Sequence, residues 1–519
     1  MKFRNFSILI LIVCIIPSIS IAQKVKDHVP EQANWRVDNN GYWKMMAEKG
    51  LTTLNPMVVV PKAKYTGSEI EALSSATLDS PDVPVTTENS SQSENSIFVN
   101  PADYQNLLNS NNSCANPYPP FYGANDFYSF DGGVTWAGEI QGAGVANSGD
   151  PAVVIGNNGW YYVNHIISGS SYGQQVAYST DEGASWNVVV IDDGASAYVL
   201  DKNHFWIDNN LNSPYESNLY CAWTDFGGAF NYDIAFSYSS DQGLSWATSV
   251  NISSAVNAGS HCQGVNINTG PNGEVYAVYA IYDAKADENA FGLTKSLDGG
   301  ATWEPATRII ENVRGIRSSE TSKNQRVNSF PVLAVDNSDG AYGGNLYMVW
   351  TNIGTPGINT GTDMDVYMIR SSDQGDTWSD PIRVNQDAAG LGKEHYFPWI
   401  TCDPTTGDLS VVFYDDRNVG SNECEVFCAN SLDGGDTWED FKVSDVSFTP
   451  TPIPGLAMGY MGDYLGITAR DSYVYPCWTD NRTGTSMTYV SPYVINTLSR
   501  PYDLTANLNE ETGSVDLEW

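Results

Sequence analysis

Basic residues are scarce in this sequence. Lys and Arg together number 25, against 61 Asp and Glu, and the formal net charge is -36. A polypeptide with this excess of carboxylates repels polyanions, because it has few cations with which to neutralise phosphates. The composition therefore excludes nucleic acid as an expected partner, and it argues against adsorption to an anionic membrane surface.

Long apolar runs are also missing, with one exception at the N-terminus. Lys2 and Arg4 precede an apolar run over residues 6–16, which is too short to span a bilayer as a mature helix. The small residues Ser20 and Ala22 follow it and suit a signal peptidase. We therefore expect a signal peptide over residues 1–22, a secreted, extracellular protein, no membrane insertion and a monomer.

Cysteine and histidine are few. The sequence has 8 cysteines, of which Cys14 lies in the predicted signal peptide, so the mature chain keeps an odd number and at least one stays unpaired. No C-x-x-C pair occurs, and the 5 histidines do not follow the spacing of a known metal site. We therefore expect no metal ion and no other cofactor.

One short pattern, S-x-D-x-G-x-[ST]-W, is abundant. It occurs at residues 129–136, 179–186, 239–246, 296–303, 371–378 and 431–438. Successive copies lie roughly 50 to 75 residues apart, which is in the range of propeller blades. Ser and Asp side chains close turns by accepting backbone hydrogen bonds, and the Gly permits a positive φ. We interpret each copy as a structural hairpin turn whose Trp packs against a neighbouring unit.

A second repeat precedes each turn: an apolar strand, a polar turn and another apolar strand. There are seven such strand pairs against six turns, and residues 486–494 add a third strand to the last pair. This last unit lacks a fourth strand, and the segment 56–61 is predicted to supply it and close the ring. The sequence thus predicts an all-β fold, a β-propeller of four-stranded antiparallel blades, with seven blades favoured and six as the alternative.

The turn pattern resembles the Asp-box, also called the BNR repeat, of sialidases and other secreted propellers. This resemblance extends over residues 93–497, and it implies a sialidase-like propeller that acts on extracellular glycans or glycoproteins. Sialidases have six blades, which keeps the six-bladed alternative open. The Asp-box is specific for a fold and far less so for an activity.

Two features of sialidases have no counterpart here. That family binds the substrate carboxylate with three arginines, the first in an R-I-P motif that opens the first blade. The matching residues 93–95 contain no arginine. The acid/base aspartate of the family follows the second strand of the same blade, where residues 107–112 contain no carboxylate. The resemblance therefore leaves open whether the chain is an enzyme, and it implies a glycoside hydrolase if it is one.

The chain divides into four parts. We expect the signal peptide at 1–22, an N-terminal extension and linker at 23–92, the propeller at 93–497 and the start of another domain at 498–519. In this last part, residues 500–506 and 513–519 resemble the first two strands of a fibronectin type III module. Such a module needs about 100 residues, so only an incomplete part of it is present.

The candidate site lies where blade geometry gathers loops around the central opening. The loops before each first strand and after each second strand share this face, and they contain most of the side chains that are candidates for chemistry. Candidate catalytic residues are Asp150, paired with Asp415 or Asp463 as two carboxylates, and Tyr464 as a nucleophile. Candidate substrate-binding residues are Arg326, Arg417, Arg482 and His395.

The three arginines support a specific hypothesis. Because the protein is so acidic, guanidiniums gathered at one rim would offer an anionic ligand a site that the surrounding carboxylates otherwise deny it. We expect at least two of them to converge on one carboxylate or sulfate near Tyr464 and Asp150. The alternative is that each arginine pairs with an acid near it in sequence, such as Asp416 or Asp480.

Two functions remain compatible with these residues. The first is a carbohydrate-active enzyme that hydrolyses glycosides with a carboxylate pair at the central opening. The second is a non-catalytic propeller that binds glycans or proteins outside the cell. The candidate site residues around the central opening favour the first function, and the missing R-I-P arginine favours the second.

Overall fold

Antiparallel β-strands form nearly all of the regular structure. The computed structural model describes residues 32–69, 76–77, 80–115, 122–168, 171–195, 197–256, 259–284, 288–316, 321–495, 505–509 and 514–518. The strands form four-stranded sheets in sequence order, one for each predicted repeat. The prediction of a seven-bladed β-propeller is confirmed, and the six-bladed alternative is wrong.

Each blade is a meander that runs from an inner strand outward. The first three blades are Ser90–Asn100, Asp103–Ala115, Asp126–Ser129 and Ala137–Glu139; Ala152–Ile155, Tyr161–Ile166, Gln174–Ser179 and Asn187–Asp192; and Val199–Ile207, Leu219–Phe226, Ile234–Ser239 and Val250–Asn251. Blades 4 to 6 are His261–Thr269, Val275–Tyr282, Ala290–Ser296 and Thr307–Glu311; Val332–Val335, Leu346–Ile353, Met364–Ser371 and Ile382–Arg383; and His395–Cys402, Leu409–Asp415, Glu425–Ser431 and Glu439–Lys442. Blade 7 contains Gly466–Arg470, Tyr473–Asp480, Met487–Val490, Tyr493–Ile495 and Val83–Pro84.

Blade 7 takes its outer strand from the N-terminal segment. Val83 pairs with Val490, and Ala76–Thr77 pairs along Tyr493–Ile495. The prediction that residues 56–61 supply this strand is wrong, since they form no strand. Ala76–Thr77 and Val83–Pro84 take the place because they lie just before blade 1, which is the neighbour of blade 7 in a closed ring. The N-terminal segment closes the ring as predicted, but with different residues.

Shorter elements lie outside the blades. Helix α1 spans Asn40–Glu48, and the Asn39 side chain caps it by accepting a hydrogen bond from the Tyr42 N–H (3.1 Å). Lys64–Tyr65 pairs with Val446–Ser447, Tyr122–Ala124 extends blade 1, and Ser254–Val256 is a 3-10 turn. No helix in the described part of the chain has the length and apolar character that a membrane crossing needs.

All six Asp-boxes close their turns in the same way. Around Asp298, one carboxylate oxygen accepts from the Thr302 N–H (2.8 Å) and the Ser296 hydroxyl (2.9 Å), and the other accepts from the Thr302 hydroxyl (2.6 Å). The other five aspartates make the same contacts. Gly300 has the predicted positive φ (89°). The structural interpretation of the Asp-box is confirmed.

The tryptophans of these turns are less buried than the sequence suggested. Trp438 is buried, at 9% exposure, whereas the other five are partly buried. Trp136 donates its indole N–H to Gly133 O (3.0 Å) and Trp378 does the same to Gly375 O (3.1 Å). In these two turns the indole therefore also braces its own turn.

Four inner strands have a β-bulge at the same point. In blades 1, 3, 4 and 6 the pairing register shifts so that two residues face one on the second strand. The first bulged residue has a positive φ in each case: Glu94 (57°), Lys202 (50°), Gly264 (70°) and Phe397 (55°). Three of these are not glycine, and such backbone strain concentrates at functional sites. The bulges turn these side chains toward the propeller axis.

The remaining predictions concern cysteines and the two chain ends. The described cysteines Cys114, Cys221, Cys262, Cys402, Cys424, Cys428 and Cys477 are all free thiols. Near the C-terminus, Thr505–Asn509 and Ser514–Glu518 form an antiparallel hairpin. A hairpin does not define a fibronectin type III module, so that assignment stays a prediction. The predicted signal peptide lies outside the described residues.

Candidate active site

One position from each blade meets at the end of the propeller axis. These seven residues, which we call the mouth ring, are Glu94, Asp150, Lys202, Gly264, Phe330, Phe397 and Asp463. Five of them line a small cavity of about 20 Å³ at the axis, and Glu94 and Asp150 act electrostatically on Lys202 from the other side. The ring has two unlike halves. Blades 7, 1, 2 and 3 contribute charged groups, whereas blades 4, 5 and 6 contribute glycine and two phenylalanines.

Three carboxyl groups are linked in the charged half. The Asp150 side chain shares hydrogen bonds with both Glu94 and Asp201, which precedes Lys202 in blade 3. All three side chains are buried, with exposures of 3% for Glu94, 4% for Asp150 and 0% for Asp201. A hydrogen bond between two carboxyl groups requires a proton on one of them, because ionised carboxylates only accept. The closeness of these carboxyl groups therefore favours protonation of at least one of them.

Burial raises the pKa of each of these carboxyls. For Glu94, the loss of solvent raises the pKa well above its usual range, and the charges of Asp150 and Asp463 raise it further. Burial also raises the pKa of Asp201 well above its usual range, with Asp150 and Asp38 as further causes. The pKa of Asp150 rises for the same first reason. Burial without a full set of cations favours the neutral acid.

Two cations border the carboxyls. The Lys202 ammonium lies 3.8 Å from the centre of the Tyr464 ring and 5.7 Å from that of Phe330, and burial lowers its pKa. Arg326 makes a two-point contact with the carboxylate of Asp463, including Nε to Oδ1 at 3.1 Å. Such a forked contact stabilises the ionised form of a carboxylate. The mouth ring thus contains buried acids whose pKa values are raised, beside a carboxylate that is ion-paired.

The N-terminal segment covers this site. The backbone N–H of Asp38 donates to Asp201 Oδ2 (2.7 Å), and the Asn39 side chain donates to Ser148 O (3.0 Å). Gln263 holds the same segment by donating to Arg36 O (3.0 Å). The covering residues satisfy one of the buried carboxyl groups, so they belong to the electrostatics of the site as well as to its shape.

A larger cavity of about 650 Å³ opens on the opposite, Asp-box side of the axis. Its aromatic wall includes Phe98, Trp206, His204 and Trp399, in which His204 lies between the two indoles. Burial lowers the pKa of His204 to about 3, so the imidazole is neutral. The small cavity at the mouth ring separates this space from the carboxyl groups.

The structure brings four of the predicted site residues together. Asp150, Asp463 and Arg326 belong to the cluster just described, and Tyr464 borders it through Lys202. The Tyr464 hydroxyl donates to Pro151 O at 3.4 Å. The roles that we predict for them, two carboxylates, a nucleophile and an anion ligand, stay predictions.

Three other predicted residues form a separate cluster at blades 5 and 6. Arg417 contacts Asp415 (2.7 Å) and Asp440 (2.5 Å), and His395 lies 3.3 Å from Asp415. Arg482 lies in a third place, where it pairs with Asp480 (2.6 Å) and Asp82 (2.7 Å) of blade 7. The three arginines therefore have no carboxylate in common. The alternative of pairing with an acid near in sequence describes Arg482 with Asp480 and, with Asp415 in place of Asp416, Arg417. It does not describe Arg326, whose partners Asp463 and Asp38 are distant in sequence.

One group of ligand-type residues lies within the second cluster. Carboxylate and imidazole atoms of Asp365, Asp387 and His395 lie within 4.8 Å of one another. Arg383 contacts both aspartates at 2.8 Å, and so does the Asn385 side-chain amide. The Arg383 guanidinium therefore already places a positive charge against the Oδ1 atoms of both aspartates, which opposes a cation at these two oxygens.

Sequence reasoning missed Glu94, Asp201 and Asp38 as site residues. Glu94 stands where sialidases have the first arginine. The resemblance therefore points to an absent arginine at this position and not to the acid that is present. Lys202 and Asp201 lie in the right loop, but nothing in their pattern singles them out. The one usable signal was a charged residue at the same offset before several first strands.

The comparisons with known proteins agree on the repeat. The family model described as BNR/Asp-box repeat matches residues 127–137, which is the first Asp-box. No curated protein sequence matches the chain. Among solved structures, an ulvan lyase bound to -[GlcA(1-4)Rha3S]- has a TM-score of 0.48 at 12% identity, covering 80% of this chain and 96% of that one.

Two further structures have lower scores. An α-L-arabinofuranosidase from Fusarium graminearum has a TM-score of 0.43 at 12% identity, covering 80% of this chain and 97% of that one. A leech intramolecular trans-sialidase has a TM-score of 0.41 at 11% identity, covering 71% of each chain. Similarity of this size assigns neither an activity nor a substrate.

Proposed function

We propose that the chain is a secreted enzyme that hydrolyses glycosidic bonds at the mouth ring. The observation that carries this proposal is the pairing of unlike acids: Glu94, buried and hydrogen-bonded to Asp150, beside Asp463, which Arg326 holds as a carboxylate. Glycoside hydrolysis needs one carboxyl that donates a proton and one that is ionised. When one environment favours the neutral form of a carboxyl and the other favours the ionised form, the two environments assign the two roles.

Each group then has a defined part in the reaction. Glu94 donates its proton to the leaving oxygen as the glycosidic C–O bond breaks. Asp463 either attacks the anomeric carbon or takes a proton from the water that does so. Lys202 stabilises the ionised Glu94 that remains after proton donation, because its ammonium acts directly on that carboxyl. Tyr464 borders the ring and positions Lys202.

The charge of the site selects the substrate class. Of the three arginines expected to bind an anion, Arg417 and Arg482 are held by other acids. Arg326 is already paired with Asp463 and Asp38. An anionic sugar would have to compete with these two carboxylates for the Arg326 guanidinium. We therefore propose a neutral glycan as the substrate.

A non-catalytic glycan- or protein-binding propeller is the second candidate. The covering N-terminal segment favours it, because Glu94 and Asp150 are closed off from solvent while that segment is in place. In this case the buried carboxyls serve to hold the segment, and ligands bind elsewhere on the surface.

Sugar release separates the two candidates. Neutral, sialylated and sulfated glycans are incubated with the full chain and with a Tyr42→Ala, Met46→Ala variant, in which the covering helix is loosened. We expect reducing sugar from neutral glycans, more from the loosened variant, and none after Glu94→Gln. Glu425→Gln is the matched control, because Glu425 is a buried glutamate whose pKa is raised by burial but which pairs with Lys442 in blade 6. No sugar from any glycan with either form contradicts the hydrolase.

A further inference from the structure

The segment over the mouth ring is attached by specific polar contacts. We call residues 32–55 the N-terminal arm. Besides the bonds to Asp201, Ser148 and Gln263, Arg326 donates to Asp38 O (3.2 Å), so the cation that pairs with Asp463 also holds the arm. At its far end, the Asn55 side chain donates to Ile453 O (2.9 Å). The arm therefore contacts Asp201 and Arg326, which border the candidate catalytic groups, and it extends to the loop before blade 7.

Helix α1 anchors the arm through apolar contacts. Val37, Tyr42 and Met46 have 0% exposure and pack with Val199 and Phe226 of blade 3. Trp43 packs on the other side against Leu456 and Tyr460. A helix of nine residues is not stable alone in water, because nucleation is costly and tertiary packing supplies most helix stability. The arm depends on the propeller for its structure.

The segment that follows the arm is of a different kind. Residues 56–62, which we call the linker, form no helix or strand, and their backbone makes no hydrogen bond to any part of the chain that the structure describes. Met57, Val58 and Val59 are exposed by 66%, 44% and 94%. Exposed, extended backbone without hydrogen bonds is the form that proteases bind and cut. Apolar side chains held in solvent also gain nothing for the fold.

The chain beyond the linker is fixed to the propeller again. Lys64–Tyr65 pairs with Val446–Ser447, the Glu69 N–H donates to Lys442 O (2.9 Å), and Val83–Pro84 closes blade 7. A cut in the linker therefore separates the arm from the closing strand. It leaves the ring closed and removes the covalent tether of the cover.

We propose that the linker is a proteolytic processing site and that cleavage there releases the arm from the mouth ring. A separate protease adds water across one peptide bond of residues 56–62, which leaves a new carboxylate on the arm and a new amino group on the propeller chain. The cut converts an intramolecular contact into a bimolecular one, and the high effective concentration that keeps the arm in place is lost. The chain is then a precursor whose site opens after secretion.

This proposal rests on the proposed function only for what the open site does, and release of the arm is measured separately. The full chain is treated with a low dose of thermolysin, the cut is located by intact mass, and the products are separated by gel filtration. Accessibility of Glu94, Asp150 and Asp201 is measured by carbodiimide labelling and peptide mass spectrometry, before and after the cut.

We expect the first cut to fall in residues 56–62, the arm to leave the propeller, and labelling of the three carboxyls to rise by at least about tenfold. Val58→Pro with Val59→Pro is the matched control: both residues are exposed and make no backbone hydrogen bond, so the fold is kept while the protease loses its site. At the same dose this variant stays whole and its carboxyls stay unlabelled.

Two results overturn the proposal. One is a first cut inside the arm or the blades while the linker remains whole. The other is a cut linker with the arm retained and labelling unchanged. If labelling rises and no glycan releases sugar, the processing site stands and the proposed hydrolase fails. The uncut Tyr42→Ala, Met46→Ala variant gives an independent reading, because it should raise labelling without any protease.

Discussion

The propeller uses aspartate and glutamate in two opposite ways on its two faces. On the Asp-box face, each repeated aspartate accepts hydrogen bonds from one hydroxyl-bearing residue on each side of its turn, and it is ionised and near solvent. Hydrogen bonds led by that from the Thr377 hydroxyl lower the pKa of Asp373 to about 2. At the mouth ring, burial raises the pKa of Glu94 and its partners instead. The same functional group has a lowered pKa in the solvated turns and a raised pKa where it is buried at the mouth ring.

The comparison explains why a repeated acid is not the site. Each of the six Asp-box carboxylates accepts three hydrogen bonds within its own turn, so most of its acceptor capacity serves the turn. The mouth carboxyls occur once each, at positions where strand bulges and Xaa-Pro steps reorient the chain. Burial raises the pKa values of Glu94, Asp150 and Asp201, which favours the protonated form of these acids.

The largest expected difference between the two sets concerns catalysis. Glu94→Gln removes the proposed proton donor and should lower glycan hydrolysis by about 10²–10⁴-fold, the usual contribution of general acid catalysis. Asp298→Asn alters an Asp-box on the other face and should leave the rate within about twofold of wild type at a temperature where both are folded. Sugar release by the processed chain measures both. A comparable loss of glycan hydrolysis in the two variants would contradict a catalytic role for Glu94 and a structural role for Asp298.

The next largest difference concerns ion pairs. Arg326 contacts Asp463 and Asp38 with 13% of its side chain exposed. Arg326→Met leaves buried carboxylates without a cation and should lower the free energy of unfolding by about 3–5 kcal/mol. Arg370→Met breaks an exposed pair with Asp436 and should cost less than about 1 kcal/mol. Urea unfolding checks both values. Equal losses would mean that the mouth ring is as open to water as the rim.

Removal of one Asp-box carboxylate should have a moderate effect. Asp298→Ala deletes three hydrogen-bond acceptor contacts and should cost about 1–3 kcal/mol of unfolding free energy. Asp380→Ala, at an exposed aspartate outside the Asp-box pattern, should stay within about 0.5 kcal/mol of wild type. Thermal or urea unfolding distinguishes the two. An unchanged free energy of unfolding in Asp298→Ala would show that the aspartate does not stabilise the turn.

The Asp-box aspartates and the mouth carboxyls should also make stability change with pH in opposite directions, and this is the smallest of the expected effects. Asp373 has a folded pKa of about 2, below the unfolded value near 4, so its contribution is present above about pH 4 and is lost as pH falls through 2. The mouth carboxyls have raised pKa values in the folded chain, so the folded state binds more protons and loses stability as pH rises above about 4. Glu94→Gln should flatten the second slope alone, and Asp373→Asn the first, in urea midpoints from pH 3 to 8. A Glu94→Gln profile that parallels wild type would contradict the raised pKa.

Sequence patterns predicted the repeating part of the molecule and missed the features that occur only once. The Asp-box turns and seven strand pairs recur, so their period identifies the blades and their number. Glu94 was not predicted as a site residue because a bulge with positive φ at a glutamate has no sequence signature. The cover escaped because the contact of Asp38 with Asp201 spans most of two blades of chain, and pattern reasoning is local. Val83–Pro84 read as a linker because proline disfavours strands, although an outermost strand tolerates it.

The protonation of the mouth carboxyls is the central claim, and infrared spectroscopy tests it most directly. Difference spectra at pH 7 between wild type and Glu94→Gln, and between wild type and Asp201→Asn, isolate the carbonyl stretch of a neutral carboxylic acid. The account predicts that wild type shows this band and that each substitution removes part of it, whereas Asp373→Asn removes only ionised-carboxylate signal. Spectra in which Glu94 and Asp201 contribute only ionised-carboxylate bands at pH 7 would contradict it.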